Sequence, residues 1–192
     1  MGSKSRQTIK IGVTGHRFTN IDDALRSGMV CAIDAIRENF NQSEILLYSA
    51  LAEGADQLAA EVALANTMID LVVPLPMQEM NYLQGFKTTE GRERFAALLK
   101  AAESVIRLPE QQSKTAAFQE LGIYLASTCD CLIAVWNGVM NGKPGGTGDV
   151  VQSFLRQHKV VYWVYCSNPN SSSSQPRSVK KTMGDLEVLH TY

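Results

Sequence analysis

The chain has 192 residues, 45% of them apolar and 19% charged, which is enough for a buried core and excludes global disorder. Its 18 basic and 19 acidic side chains leave a net charge of -1, which argues against a general nucleic-acid or membrane-surface binder. No apolar run approaches the roughly 20 residues that span a bilayer, and Met1 to Lys10 is too polar for a signal peptide.

Ile9 to Val13 is a β-rich run ending in Thr14-Gly15. From Asp22 to Phe40 the apolar residues Leu25, Met29, Ile33, Ile36 and Phe40 recur at helical spacing, with Asn20 or Asp22 as the cap. Glu44 to Tyr48 reads as a second strand. A helix capped by Asp56 follows, with Leu58, Val62 and Ala65 facing inward. Ile69 to Val73 is a third strand, stopped by Pro74 and Pro76. Met77 to Gly91 is the least regular stretch, and Glu90 to Ala102 is helical. Ser104 to Leu108 is a weaker fourth strand. Lys114 to Thr128 is a helix with Phe118, Leu121 and Leu125 inward. Cys131 to Trp136 is a strongly apolar fifth strand, Gly148 to His158 a helix, and Val160 to Tyr165 a sixth strand. Met183 to Leu189 reads as a short terminal helix.

Strands and helices alternate, and most strands are continuous apolar runs, as in sheets covered on both faces. The pattern predicts an α/β, Rossmann-like domain over residues 9–166: a doubly wound, mostly parallel sheet of about six strands with helices on both faces. Residues 1–8 read as a flexible N-terminus, and 167–192 as a serine-rich linker and tail. The four cysteines lack zinc-site spacing and read as buried, reduced thiols of a cytoplasmic protein. His158 and His190 have no partners at ligand spacing, so no metal site is expected.

Ligands of such sheets bind beyond the carboxyl ends of the strands. Three loops are candidates there. The first is Gly12-Val13-Thr14-Gly15-His16-Arg17, where loop amides and Thr14 can meet an anion and Arg17 can clamp a phosphate from an exposed position. His16 is an acid–base candidate or a polar contact. The second is Ser49 to Asp56, in which Ser49, Gly54 and a capping Asp56 open a helix N-terminus, and Glu53 can touch a sugar hydroxyl or act as a base. The third runs from Asn137-Gly138 through Gly142 to Asp149. Four glycines within seven residues, directly before a helix, make Gly145, Gly146, Thr147 and Gly148 an anion nest with a left-handed glycine at position 145 or 146. Asp149 caps that helix or meets a ribose. Tyr82 and Trp136 are as well suited to packing as to stacking on a base.

These loops, in this order, resemble the SLOG superfamily, which groups the DNA-processing protein A family with the LOG phosphoribohydrolases and nucleotide sensors. Ser49 to Asp56 is similar to the Ser-Gly-Leu-Ala-x-Gly-Ile-Asp segment of the first family, and Pro144 to Gly148 to the Pro-Gly-Gly-x-Gly-Thr loop of the second. The resemblance spans Ile9 to Tyr165. It implies a pocket for a nucleotide or nucleotide-derived ligand, sensor-like, with no required cofactor and with a homo-oligomeric assembly. It offers two alternatives: hydrolysis of a nucleotide N-glycosidic bond through Glu53 or Asp149, or association with DNA. LOG enzymes place a catalytic Glu one turn after the glycine loop, where this chain has Asp149-Val150-Val151-Gln152.

Overall fold

The computed structural model describes residues 8–17, 21–40, 44–66, 68–140, 142–167 and 181–190. The expectations for residues 1–7, for Asn20 as a cap and for the serines from 171 to 174 lie outside them.

Strands and helices alternate in the order β1 (Thr8–Gly15), α1 (Asp23–Asn39), β2 (Glu44–Tyr48), α2 (Ala55–Leu64), β3 (Ile69–Leu75), α3 (Glu79–Leu83), α4 (Thr89–Ala101), β4 (Ser104–Arg107), α5 (Lys114–Thr128), β5 (Cys131–Trp136), α6 (Thr147–Arg156), β6 (Val161–Tyr165) and β7 (Leu186–Leu189). They form one seven-stranded sheet in the order β4-β3-β2-β1-β5-β6-β7. The first six strands are parallel, and β7 runs antiparallel to β6. This is the doubly wound, Rossmann-like α/β architecture that the alternation predicts.

Local signals account for the helix starts. Asp22 caps α1 by accepting from Leu25 N, Thr88 caps α4 through Gly91 N, and Ser113 caps α5 through Ala116 N. Each central strand buries both faces because alternate residues enter different cores. Ile11, Leu47, Leu71, Ile133 and Val135 pack with α1, α2 and α4, whereas Leu132, Ala134 and Trp136 pack with α5 and α6. The described helices include none long and apolar enough to cross a membrane.

Four local expectations are corrected. The first is Pro74, which does not stop β3; the strand continues to Leu75. Val72 O accepts from Ser49 N on the β2 side, and Pro74 has the same parity. β2 has already ended at Tyr48, opposite Val72, so the missing proline N–H interrupts no ladder on that side. The second is α2, whose buried residues are Ala55 to Ala60 and Ala63. Val62 is half-buried and Ala65 exposed, because the first two turns are inserted between the sheet and its neighbours. The third is the terminal segment, a strand rather than a helix: Leu186 to Leu189 pairs with Val164 to Val161, so the β6 ladder overrides a local helical pattern. The fourth is Cys31, which is exposed on α1, whereas Cys129, Cys131 and Cys166 are buried free thiols.

One cation secures the junction between α5 and β5. Lys159 Nζ donates to Ala126 O at 2.6 Å and Cys129 O at 2.8 Å, closing two carbonyls at the end of α5, and lies 5.8 Å from the Phe154 ring centroid. Lys159→Met should therefore lower stability by about 1–3 kcal/mol, the cost of leaving charge-assisted hydrogen bonds unmade, as read from urea unfolding.

Candidate functional site

The order of strands reverses between β1 and β5, so the loops that leave their carboxyl ends diverge to opposite faces. A cleft of about 640 Å³ opens there. The sequence of each loop dictates how it reaches the cleft. After β1, His16 N donates to Val135 O at 3.0 Å, and His16 O accepts from Ala55 N at 3.3 Å, which ties the first loop to β5 and to the start of α2. Gly54 turns the second loop with φ 94, and a Cβ there would collide with Arg17 O. His16 Nε2 lies 3.2 Å from Asn137 Oδ1 and 3.3 Å from Asn137 N, so the residue after β5 fixes the imidazole. Burial lowers the His16 pKa and favours the neutral ring, offset in part by the Asn137 hydrogen bond.

Thr14, Gly15, His16 and Arg17 line the cleft together with Gly145, Gly146, Thr147 and Gly148. The structure thus brings the first and third loops into one site. The second loop plays another part. Ser49 is fully buried beneath the cleft, where its hydroxyl donates to Asp56 O at 3.0 Å and accepts from Leu51 N. Gly54 is the close-packed turn just described. Gly12 lies within β1, its Cα side against Phe154, and does not line the cleft.

The two carboxylates expected to do chemistry are both engaged elsewhere. Glu53 accepts from Lys87 N at 2.8 Å, Thr88 N at 2.9 Å and Thr88 Oγ1 at 2.7 Å, anchoring the segment between α3 and α4. Burial raises its pKa, but those bonds and the nearby Arg92 outweigh burial and hold it below the ordinary value. Asp149 folds back to accept from Gly145 N at 2.9 Å and lines a separate depression of about 260 Å³ with Gln119 and Gln152.

The glycine loop is also more specific than its composition suggests. Gly145 has φ 68, the expected left-handed glycine, and a Cβ there would strike the backbone of Gln119. The amide of Gly145 is held by Asp149, and that of Gly146 donates to Lys143 O at 3.0 Å. Gly146 is the N-cap of α6 and supplies no side-chain acceptor. The first-turn amides of α6 without an acceptor among the described residues are therefore those of Thr147, Gly148 and Asp149, just beyond the glycine pair.

Arg17 is not exposed as expected. Its guanidinium sits 4.6 Å from the Phe118 centroid and 5.7 Å from that of Tyr82. Such stacking on two rings suits a planar cation in a partly dry site.

Sequence reasoning gave Asp56 the role of a cap and missed its place in the cleft. The N-cap of α2 is Gly54, and Asp56 is the second helical residue, 7% exposed, with Oδ2 accepting from Ala52 N at 3.4 Å. Burial pushes its carboxyl up to about 7, against the opposing influence of Arg17 and the Ala52 hydrogen bond. Lys87, Lys114 and Lys143 also line the cleft. Tyr82 and Trp136 are 2% and 3% exposed, line it too, and neither Tyr82 Oη nor Trp136 Nε1 finds a hydrogen-bond partner among the described residues. No group of side chains suited to a metal ion occurs among those residues.

No family model and no curated protein matches the chain. Among solved structures, the X-ray structure of TM1055, a structural genomics target, is similar with a TM-score of 0.48 and 13% identity, over 79% of this chain and 71% of that one.

Two substitutions test this arrangement. The unfolded chain titrates Asp56 near 3.8 and the folded chain near 7. Between those values the folded state keeps a proton that the unfolded state has lost, so this stabilising contribution is complete below pH 3.8 and is lost as pH rises to 7. Asp56→Asn removes the dependence. Relative to the parent it should gain about 2–4 kcal/mol between pH 4 and pH 8 in urea unfolding, and parallel pH curves would contradict the assignment. Glu53→Ala leaves the Lys87 and Thr88 amides without their acceptor. It should cost about 2–4 kcal/mol and speed hydrogen exchange in residues 85–91.

Proposed function

We propose that the cleft binds a nucleotide or nucleotide-derived ligand, with its phosphate at the first turn of α6. The observation that carries this reading is the concentration of charge. In a chain of net charge -1, the described residues that line the cleft bring four cations, Arg17, Lys87, Lys114 and Lys143, against the single carboxyl of Asp56. The uncapped N-terminus of α6 adds its partial positive charge on the same side, although Asp149 in the first turn offsets part of it. A cleft with such a wall and with Phe118, Tyr82 and Trp136 around it suits a ligand that is anionic at one end and aromatic at the other.

The resemblance of the loops to the SLOG superfamily supports the same ligand class. Binding without chemistry ranks ahead of N-glycosidic hydrolysis, because Glu53 and Asp149 spend their oxygens on backbone amides of the chain itself. Association with DNA ranks last, since the cations are gathered in a concave cleft rather than spread along a surface.

Calorimetry with nucleoside mono- and diphosphates tests the proposal. Ligand at 100 times its dissociation constant should stabilise the fold by about 2.7 kcal/mol, seen as a raised Tm. Lys114, exposed at the start of α5, reports on the phosphate without touching the core. Lys114→Ala should weaken a nucleotide roughly three- to tenfold, about 0.7–1.4 kcal/mol, at unchanged Tm. Absence of binding by every nucleotide and by pyrophosphate would overturn the reading.

A further inference from the structure

The cleft is chemically polarised. One side is the α6 N-terminus with its amides, and another carries Asp56, the only carboxyl lining the cleft among the described residues. Above about pH 7, where Asp56 is ionised, a phosphate beside it would be repelled, so the two regions call for different parts of a ligand.

The Asp56 side is hydrogen-bonding capacity left unused. A carboxylate offers about four acceptor sites, and the Asp56 side chain accepts one bond, a long one at 3.4 Å from Ala52 N. Arg17 acts on it electrostatically but forms no contact ion pair with it. The Tyr82 hydroxyl has Asp56 and Arg17 as its charged neighbours; Arg17 can only donate to its oxygen, and the Tyr82 O–H itself meets no acceptor of good geometry among the described residues. Tyr82 is held there rather than mobile: its ring packs edge-on against Phe86, with centroids 5.4 Å apart, and against Phe95 at 6.0 Å. Burying an O–H without an acceptor costs about 1–3 kcal/mol, and Asp56 lines the same cleft with most of its acceptor capacity unused.

The chemical complement of that pair is a neutral group that both donates and accepts. Its N–H or O–H would point to Asp56, and an acceptor lone pair would meet the Tyr82 hydroxyl. Phe118, whose ring carries the Arg17 guanidinium, gives the same region an apolar surface. We infer that Asp56 and Tyr82 form a donor-reading subsite for the nucleoside end of the ligand, contacting a ribose hydroxyl or a base amino group, while the phosphate lies at Thr147 and Gly148. The inference rests on the nucleotide-binding reading and adds to it an orientation and two specificity-determining residues.

Calorimetry on the full chain separates the two ideas. The probes are adenosine monophosphate, its 2′-deoxy form, inosine monophosphate and inorganic pyrophosphate, each against the parent, Asp56→Asn and Tyr82→Phe. Tyr82→Phe removes one oxygen and keeps the packed ring, so it remains informative should Asp56→Asn perturb folding. Both variants should weaken adenosine monophosphate tenfold or more and leave pyrophosphate within twofold. A 2′-deoxy penalty that vanishes in Asp56→Asn assigns the contact to ribose, and an amino-group penalty that vanishes assigns it to the base. Parent-like nucleotide binding by both variants overturns the subsite while leaving the nucleotide reading intact. So does an equal loss of pyrophosphate and nucleotide by a folded variant, or the absence of both penalties. A parent that binds pyrophosphate but no nucleotide overturns the subsite, and one that binds neither removes the nucleotide reading with it.

Discussion

Everything at the carboxyl end of this sheet depends on how closely three backbone segments approach at the crossing between β1 and β5. His16 is the junction. Its N–H is spent on Val135, its carbonyl on Ala55, and its ring on Asn137. These contacts join strands that diverge in the sheet order to the start of α2, which shares its layer with α1 and α4. A loop so fastened has little freedom to close over a ligand, so the cleft is shaped before any ligand arrives. Preformed sites of this kind lose less entropy on binding than loops that must order.

The distribution of charge follows from that geometry. The whole chain is nearly neutral, yet the cations of four separate segments converge on one concavity: Arg17 after β1, Lys87 before α4, Lys114 at the start of α5 and Lys143 before α6. Low-dielectric walls strengthen such a field relative to the same charges on an open surface. Asp56 lies inside this field, yet burial outweighs the cations and pushes its carboxyl up to about 7. Arg17 is stacked between Phe118 and Tyr82 and does not make a contact pair with Asp56, so the compensation is long-range and incomplete.

The fold was legible because its signals are local and repeated. Continuous apolar runs marked the buried strands, and Asp22 was legible as the cap of α1, whereas the Thr88 and Ser113 caps emerge only from the structure. Errors arose where a neighbour decides the outcome. Pro74 continues a strand because β2 has ended beside it, and Leu186 to Leu189 is extended because β6 offers an open ladder. The site divides in the same way. Thr14 to Arg17 and Gly145 to Gly148 could be found from glycine and hydroxyl positions after strands. The roles of Glu53 and Asp149 could not, since each depends on amides that only the folded chain brings within reach. Asp56 carried no distinguishing signal, because a carboxylate at a helix start reads as a cap wherever it later lies.

The two flanks of the sheet bear on behaviour at high concentration. β4 and β7 contain four residues each, and both present charge: Arg107 on one, and Glu187, paired with Lys181 at 2.7 Å, on the other. Short, charged outer strands are poor templates for intermolecular β-pairing. Association of copies through continuation of the sheet is therefore disfavoured at both margins. Crowding this protein should leave its backbone ladders closed.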